Sequence, residues 1–337
     1  MKVQILSTLA ILSLSFSAQA ATLINGAGAT FPYPLYSKWF AEYQKENSEV
    51  QINYQSIGSG GGIRQFLEKT VDFGASDAPM TDEQMGKADP HAVHIPTVMG
   101  AVVLTYNLPS VTTELKLTPE IIAEIFLGKI TTWNDAKIQK ANPGVTLPKD
   151  AVLVSHRSDG SGTTNIFTDY LSKVSPDWKS KVGVGPSVNW PVGLGGKGNE
   201  GVTGLIKQTP GAIGYVELIY AVNNKLPVAK IKNKAGTFVE PSVKSVTLAA
   251  QGALKNMPAD FRVSITDADG KDSYPISGFT YLLVYEKMSG EKGKGIVKFL
   301  DWALHAGQKF AEPLAYAPLP TSLVKKVEDK VKKIQLQ

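Results

Sequence analysis

Apolar residues along this chain recur in two alternating rhythms. Short runs of strand length lie at residues 51–54, 98–106, 151–154, 212–216 and 279–285, the first of them with period-two spacing at Val50, Ile52 and Tyr54. Stretches of helical spacing (i, i+3, i+4) lie at 35–45, 63–69, 119–127, 163–174, 202–207, 296–305 and 323–333. The alternation predicts an α/β fold of mixed, mostly parallel sheets flanked by helices. In such folds ligands sit at the carboxyl ends of strands, where the following helices begin.

Four turns rich in small residues fall at such junctions. Gly160, Ser161, Gly162, Thr163 and Thr164 separate the run at 151–154 from a helical pattern carried by Ile166, Phe167, Tyr170 and Leu171, with Arg157 and Asp159 just upstream. Gly26, Ala27, Gly28, Ala29 and Thr30 precede Phe31 and the pattern at 35–45, and residues 56–62 lead into Ile63, Phe66 and Leu67. Gly74-Ala75-Ser76-Asp77-Ala78-Pro79 runs toward Thr81 and Gln84, a capping-box pair. Small residues let the chain turn, helix-start amides aim free N–H groups at one spot, hydroxyls add donors, and a guanidinium adds a fixed fork. Together these suit an anion, and phosphate is the obvious guest. Taken singly, each turn also fits an ordinary helix N-cap. A nucleotide P-loop is excluded, because no Lys-Ser/Thr pair follows the last glycine.

Three of the turns lie in the first quarter of the chain and one in the middle, and 337 residues exceed what one core usually serves. Two lobes sharing one cleft are therefore expected. The runs at 98–106 and 274–285 are the expected crossings, placing lobe I at 21–104 and 276–337 and lobe II at 105–275. Residues 1–20 read as a secretory signal, with Lys2 at the front, an apolar stretch, and Ala18-Gln19-Ala20 as the cleavage motif, cut after Ala20. No later window offers ~18 consecutive apolar residues, so a soluble product without membrane insertion is expected. Cysteine is absent, which excludes thiol catalysis, disulfides, thiolate metal sites and a lipoprotein anchor. The expected location is a Gram-negative periplasm. Loss of Lys2 with the leader lowers the formal net charge of +5 by one, and the remainder is spread without long basic runs, so nucleic-acid binding is unsupported.

Six segments carry a family resemblance: Gly26-Ala-Gly-Ala-Thr-Phe-Pro32, Gly58-Ser-Gly-Gly-Gly62, Val71-Asp-Phe-Gly-Ala-Ser-Asp-Ala-Pro79, Gly160-Ser-Gly-Thr163, Leu194-Gly-Gly-Lys-Gly-Asn199 and Pro210-Gly-Ala-Ile-Gly-Tyr-Val-Glu217. Along nearly its whole mature length the chain resembles the periplasmic phosphate-binding proteins of high-affinity phosphate ABC importers. The resemblance implies a two-lobed, type II Venus-flytrap fold with a two-strand hinge. It implies a monomer without cofactor that captures orthophosphate and delivers it to transmembrane permease subunits driven by a cytoplasmic ATPase. It further implies that Thr30, Phe31 (through its backbone), Ser59, Asp77, Arg157, Ser161, Gly162 (through its backbone) and Thr163 grip the anion, with Asp159 holding Arg157. Gly60 departs from the serine of the pattern, which removes one side-chain donor and leaves Ser59 intact.

Asp77 bears on specificity, because a carboxylate in an anion pocket repels a bare oxyanion by ~4 kcal/mol at ~4 Å and an effective dielectric of ~20. It makes sense there as an acceptor: orthophosphate keeps a P–OH to donate, and sulfate has none. From local sequence alone, Asp77 as a turn cap before Pro79 and Arg157 as a surface partner of Asp159 stay open. So does a periplasmic phosphatase or phosphotransferase using Ser161 or Thr163. Against it, His91, His94, His156 and His305 show no metal spacing, and strand alternation turns His156 away from Arg157. Gly193, Gly195 and Gly198 with Glu217 match the letter of a dinucleotide fingerprint. No buried strand precedes them at Asn189-Trp190-Pro191, and a mobile loop at the cleft edge is expected instead. Arsenate shares the charge and protonation of phosphate and is not separated from it by sequence.

Overall fold

Fifteen consecutive buried residues form the strand Ala92–Tyr106, which is apolar on both faces because both are covered. In the computed structural model, which describes residues 21–337, this strand serves two sheets; the expected leader lies outside the described residues. From Ala92 to Ala101 it pairs antiparallel with Ser277–Tyr285, and from Val102 to Tyr106 antiparallel with Ala212–Glu217. The Val102 N–H donates to the Ile276 carbonyl at 2.8 Å, so the returning chain crosses beside the same point.

Beyond this shared centre the pairing is parallel on both sides. Thr22–Gly28 lies between Val50–Ser56 and Phe73–Ser76, parallel to each, and Leu153–Arg157 lies between Ala212–Glu217 and Leu194–Gly196, parallel to each. The result is two α/β lobes, each with parallel outer strands and an antiparallel inner one. The parallel strands deliver their carboxyl ends to the same side, and helices begin there.

Helices stand at each expected pattern: Tyr33–Glu46, Ser59–Leu67, Pro119–Phe126, Gly162–Val174, Gly198–Gln208, Gly290–Leu304 and Thr321–Val331. The first buries Leu35, Tyr36, Trp39, Phe40 and Tyr43, whose spacing had marked it, against Phe73 and Phe299. Thr81 and Gln84 make both reciprocal capping-box bonds at the start of Asp82–Lys87. None of the described helices is long and apolar enough to cross a membrane.

Several elements differ from the expectation. Gly26, Ala27 and Gly28 belong to the strand Thr22–Gly28, and the turn itself is confined to the residues after it. The glycine is there for packing: a Cβ at Gly26 would lie 2.1 Å from the Phe73 ring. Phe73–Ser76 is likewise a strand, and the run expected at 151–154 begins and ends later, at Leu153–Arg157. The thirteen-residue helix Val243–Lys255 was not anticipated, because its buried stripe of Ser245, Val246, Ala249 and Ala250 is too small and polar to stand out.

Candidate functional site

Strand ends and helix starts from both lobes converge on one buried polar cluster. Thr30, Ser59, Asp77, Arg157, Ser161 and Thr163 are each 3% exposed or less. Desolvation on this scale is tolerated only where hydrogen bonds compensate, and the cluster is built from such bonds.

Ser59 opens the helix Ser59–Leu67 after Gly58, which sits at a φ of 88°. That positive φ requires glycine, and so does the space, since a Cβ at Gly58 would lie 2.2 Å from Asp159 Oδ2 of the other lobe. Ser59 Oγ accepts from the Gly162 N–H at 3.0 Å and from the Asp77 N–H at 3.2 Å, so one hydroxyl ties the lobes together. Gly60, the departure noted above, donates its N–H to the Gly160 carbonyl at 2.8 Å, and a Cβ there would lie 3.1 Å from Gly160 Cα. Backbone meets backbone at this point.

Gly162 begins the thirteen-residue helix Gly162–Val174, whose N-cap Ser161 accepts from the Thr164 N–H at 3.0 Å. Asp77 extends from the end of Phe73–Ser76 across this helix start: a Cβ on Gly162 would lie 2.6 Å from Asp77 Oδ2. Thr280 donates to Asp77 Oδ1 at 2.8 Å, and Ser59 lies 3.5 Å from Oδ2. Burial pushes the Asp77 carboxyl up to about 7, against the hydrogen bond from Thr280, the nearby Arg157 and Ser59, all of which hold it down. Asp77 reaches the cluster by its own side chain, because the helix that follows it starts only at Asp82.

Arg157 ends the strand Leu153–Arg157 and forks onto Asp159, with Nε at 2.8 Å from Oδ1 and Nη2 at 2.6 Å from Oδ2. Its Nη1 reaches Thr163 Oγ1 at 3.4 Å. Burial alone would raise the Asp159 carboxyl, but the Arg157 fork and the Gly198 N–H outweigh it and hold its pKa below the usual carboxylate range. With its guanidinium buried, Arg157 is not the surface cation that its local sequence left open. On the other side Thr30 accepts from Asn199, Tyr316 donates to the Phe31 carbonyl at 2.6 Å, and Tyr220 donates to the Thr30 carbonyl at 2.5 Å.

Every residue assigned from the resemblance thus lies in or against this cluster. Asn199, Glu217, Tyr220, Thr280 and Tyr316 also belong to it and were not anticipated as site residues. For Asn199 a signal existed, since it ends a glycine-rich turn. That turn is not the mobile loop expected at the cleft edge: Leu194–Gly196 is a strand and Gly198–Gln208 a helix, held by the 3.1 Å bond from the Gly198 N–H to Asp159. The strand lies between the first and third glycines rather than before them, so the order required for a dinucleotide fingerprint is absent. Glu217 caps the helix Leu218–Asn223 through Ile219 N–H at 2.8 Å, and burial pushes its carboxyl well above the usual range. His156 stacks on Trp190 at 4.8 Å and turns Nδ1 to the Arg157 carbonyl. His94 accepts from the Met80 N–H, and its burial lowers its pKa to about 4.

Two α/β lobes sharing a crossing strand, with helix starts from both aimed at a buried cleft, define a ligand-capturing binding protein, and the model of the PBP superfamily domain matches residues 16–306. The phosphate-binding protein PstS of Pasteurella multocida is 46% identical over 324 residues, covering 95% of this chain and 93% of that protein. PstS of Xylella fastidiosa (strain Temecula1) is 47% identical over 307 residues, covering 90% of this chain and 84% of the relative. The chain belongs to the PstS family of phosphate-binding proteins. Among solved structures, a high affinity periplasmic phosphate-binding protein bound with phosphate superposes with a TM-score of 0.73 at 22% identity, covering 91% of this chain and 93% of that one. A phosphate-binding protein from Stenotrophomonas maltophilia gives 0.70 at 21% identity with the same coverage, and both likenesses speak to the fold.

Proposed function

We propose that the chain captures inorganic orthophosphate between its lobes and hands it to the permease subunits of an ABC importer driven by a cytoplasmic ATPase. It works as a monomer in the periplasm, after removal of residues 1–20. Thr30, Ser59, Arg157, Ser161 and Thr163 by side chain, and Phe31 and Gly162 by backbone, supply donors, with Asp159 fixing the guanidinium. Lobe I comprises 21–104 and 276–337, lobe II comprises 105–275, and the crossings near Val102 and Ile276 form the hinge. Hydrogen bonds to charged groups are worth roughly 1.5–3 kcal/mol each, so seven such donors amply cover the ~8 kcal/mol of a micromolar complex and the cost of closing the lobes.

One observation carries the reading: a buried carboxylate, Asp77, is set over the Gly162 helix start among groups that donate. A bare anion would be repelled there, whereas a protonated oxyanion gives Asp77 a hydrogen to accept. Orthophosphate near neutral pH has that hydrogen and sulfate does not. Arsenate, with the same charge and protonation, meets the same requirement. Titration calorimetry is expected to show tight phosphate binding and negligible sulfate binding; equal affinity for the two would overturn the reading.

A phosphatase or phosphotransferase using Ser161 or Thr163 has less to stand on. Ser161 Oγ accepts from Thr164 N–H and Thr163 Oγ1 from Asn199 and Arg157, and among the described residues neither hydroxyl is hydrogen-bonded to a histidine or a carboxylate. A nucleophile without an adjacent base is weak at neutral pH. Absence of turnover with a phosphomonoester is the expected result.

A further inference from the structure

Asn199 is fully buried in the first turn of the helix Gly198–Gln208 and touches both lobes. Its Oδ1 faces the Glu217 backbone N–H at 2.9 Å, and because a peptide N–H can only donate, this contact fixes which end of the side-chain amide is oxygen. Nδ2 therefore points the opposite way, with one hydrogen for each of two hydroxyls: Thr30 Oγ1 at 2.7 Å and Thr163 Oγ1 at 3.2 Å. The Asn199 N–H is a second donor to Thr30 Oγ1 at 3.2 Å, and Arg157 Nη1 a second donor to Thr163 Oγ1 at 3.4 Å. A hydroxyl has two acceptor lone pairs and one O–H. In both threonines the lone pairs are taken, and only the O–H is left to offer.

Resting on the phosphate reading above, we infer that Asn199 is a positioning residue that makes Thr30 and Thr163, one from each lobe, obligate hydrogen-bond donors toward the bound anion. It acts through the two hydroxyls and has no need to touch the ligand. By filling their lone pairs it also removes two competing acceptors, so that the proton of the anion is left to Asp77. Its attachment to the Glu217 N–H, where Ala212–Glu217 meets the crossing strand, carries this orientation back to the rigid centre of the fold.

The test compares native protein with Asn199→Ala and Asn199→Asp, titrated with inorganic phosphate at about pH 6 and about pH 8, on either side of the second ionisation of phosphate. In Asn199→Ala the hydroxyls regain the freedom to accept, and Kd is expected to rise on the order of 10- to 100-fold. Asp77, whose carboxyl is pushed up to about 7, titrates over the same window in native and variant alike, so the variant-to-native ratio is read at each pH. That ratio is smaller at the lower pH, where the second proton on phosphate finds an acceptor that the native site withholds. Asn199→Asp, whose outer oxygen can only accept, turns both hydroxyls toward itself and raises Kd further. Against a Thr163→Val background, Asn199→Ala costs several-fold less than against native, because one of its two targets is already gone. A Kd for Asn199→Ala within about twofold of native overturns the inference. So does a loss that is equal at both pH values and additive with Thr163→Val, which marks a merely structural role. Should Asn199→Asp fail to fold, the alanine variant and the cycle decide alone. Native protein that binds no phosphate refutes the functional reading itself, and this inference with it; native binding with unaffected variants refutes only the inference.

Discussion

Gly162→Ala inserts one methyl group at the seam between the lobes. The added Cβ would lie 2.5 Å from Ser59 Oγ and 2.6 Å from both Cβ and Oδ2 of Asp77. None of these atoms is a free-swinging tip: Asp77 Cβ is fixed to its backbone, and Ser59 is held by two backbone N–H groups. Ordinary contact begins at about 3.4 Å, so the lobes must part by roughly 0.8–0.9 Å, which stretches the 3.0 Å bond between Gly162 and Ser59 beyond hydrogen-bond range. The helix itself does not suffer, because alanine is the better helix former by ~1 kcal/mol. The cost therefore falls on closure: the Ser59 bond at about 1 kcal/mol plus one contact to the anion at roughly 1.5–3 kcal/mol gives about 2.5–4 kcal/mol. Calorimetry is expected to show phosphate Kd raised on the order of 100- to 1000-fold, while heat unfolding without phosphate shifts by only a few degrees. Binding within about threefold of native would refute the argument. So would a collapse of thermal stability, because the glycine would then serve folding rather than closure.

Asp77→Asn removes the acceptor charge and adds a donor, so the phosphate-to-sulfate affinity ratio is expected to fall at least tenfold, up to the ~4 kcal/mol that the carboxylate imposes on a bare anion; an unchanged ratio in calorimetry denies Asp77 its role. The same residue links stability to pH. Its folded pKa of about 7 lies above the ordinary carboxylate value, so the folded form keeps a proton that the unfolded chain has lost. Its contribution is therefore present at low pH and is lost as pH rises from about 4 to about 7, by at most ~4 kcal/mol. Melting curves of ligand-free protein are expected to be less pH-dependent over that window for Asp77→Asn than for native, and parallel profiles would contradict this. Arg157→Lys keeps a charge but cannot make the two-pronged contact with Asp159, so phosphate Kd is expected to rise about tenfold or more, and equal affinity in the same titration would assign Arg157 a purely electrostatic part.

Legibility followed side-chain size. The helix at Tyr33–Glu46 announces itself by the helical spacing of Leu, Tyr, Trp and Phe, and the crossing strand by an apolar run, but only from residue 98: the strand begins at Ala92, and His94, Pro96 and Thr97 hide its first part. Thr22–Gly28 and Phe73–Ser76 stay hidden because their glycines are the same letters that mark a turn, and only the Phe73 ring lying against Gly26 reveals that they serve packing. At the site, Thr30, Ser59 and Arg157 stand at strand-to-helix junctions that the apolar pattern marks, while Asp77 follows a strand with no helix until Asp82 and is picked out by the family resemblance. Thr280 and Tyr316 cannot be assigned that way: their parts depend on partners 203 and 285 residues distant, a relation that no local pattern encodes. The glycine-rich turn before Asn199 marks a helix start, but not its tie to Thr30, 169 residues away.

The guanidinium of Arg157 spends its charge on Asp159, 2.6 Å away and partly buried, and the further acid beside them leaves the cleft without a surplus of positive charge. Recruitment of the anion consequently owes little to far-reaching attraction, the kind that dissolved salt attenuates. It relies on peptide and hydroxyl dipoles whose influence ends within a bond or two, so uptake is expected to be governed by arrival and fit and to vary little with the salinity of the surroundings.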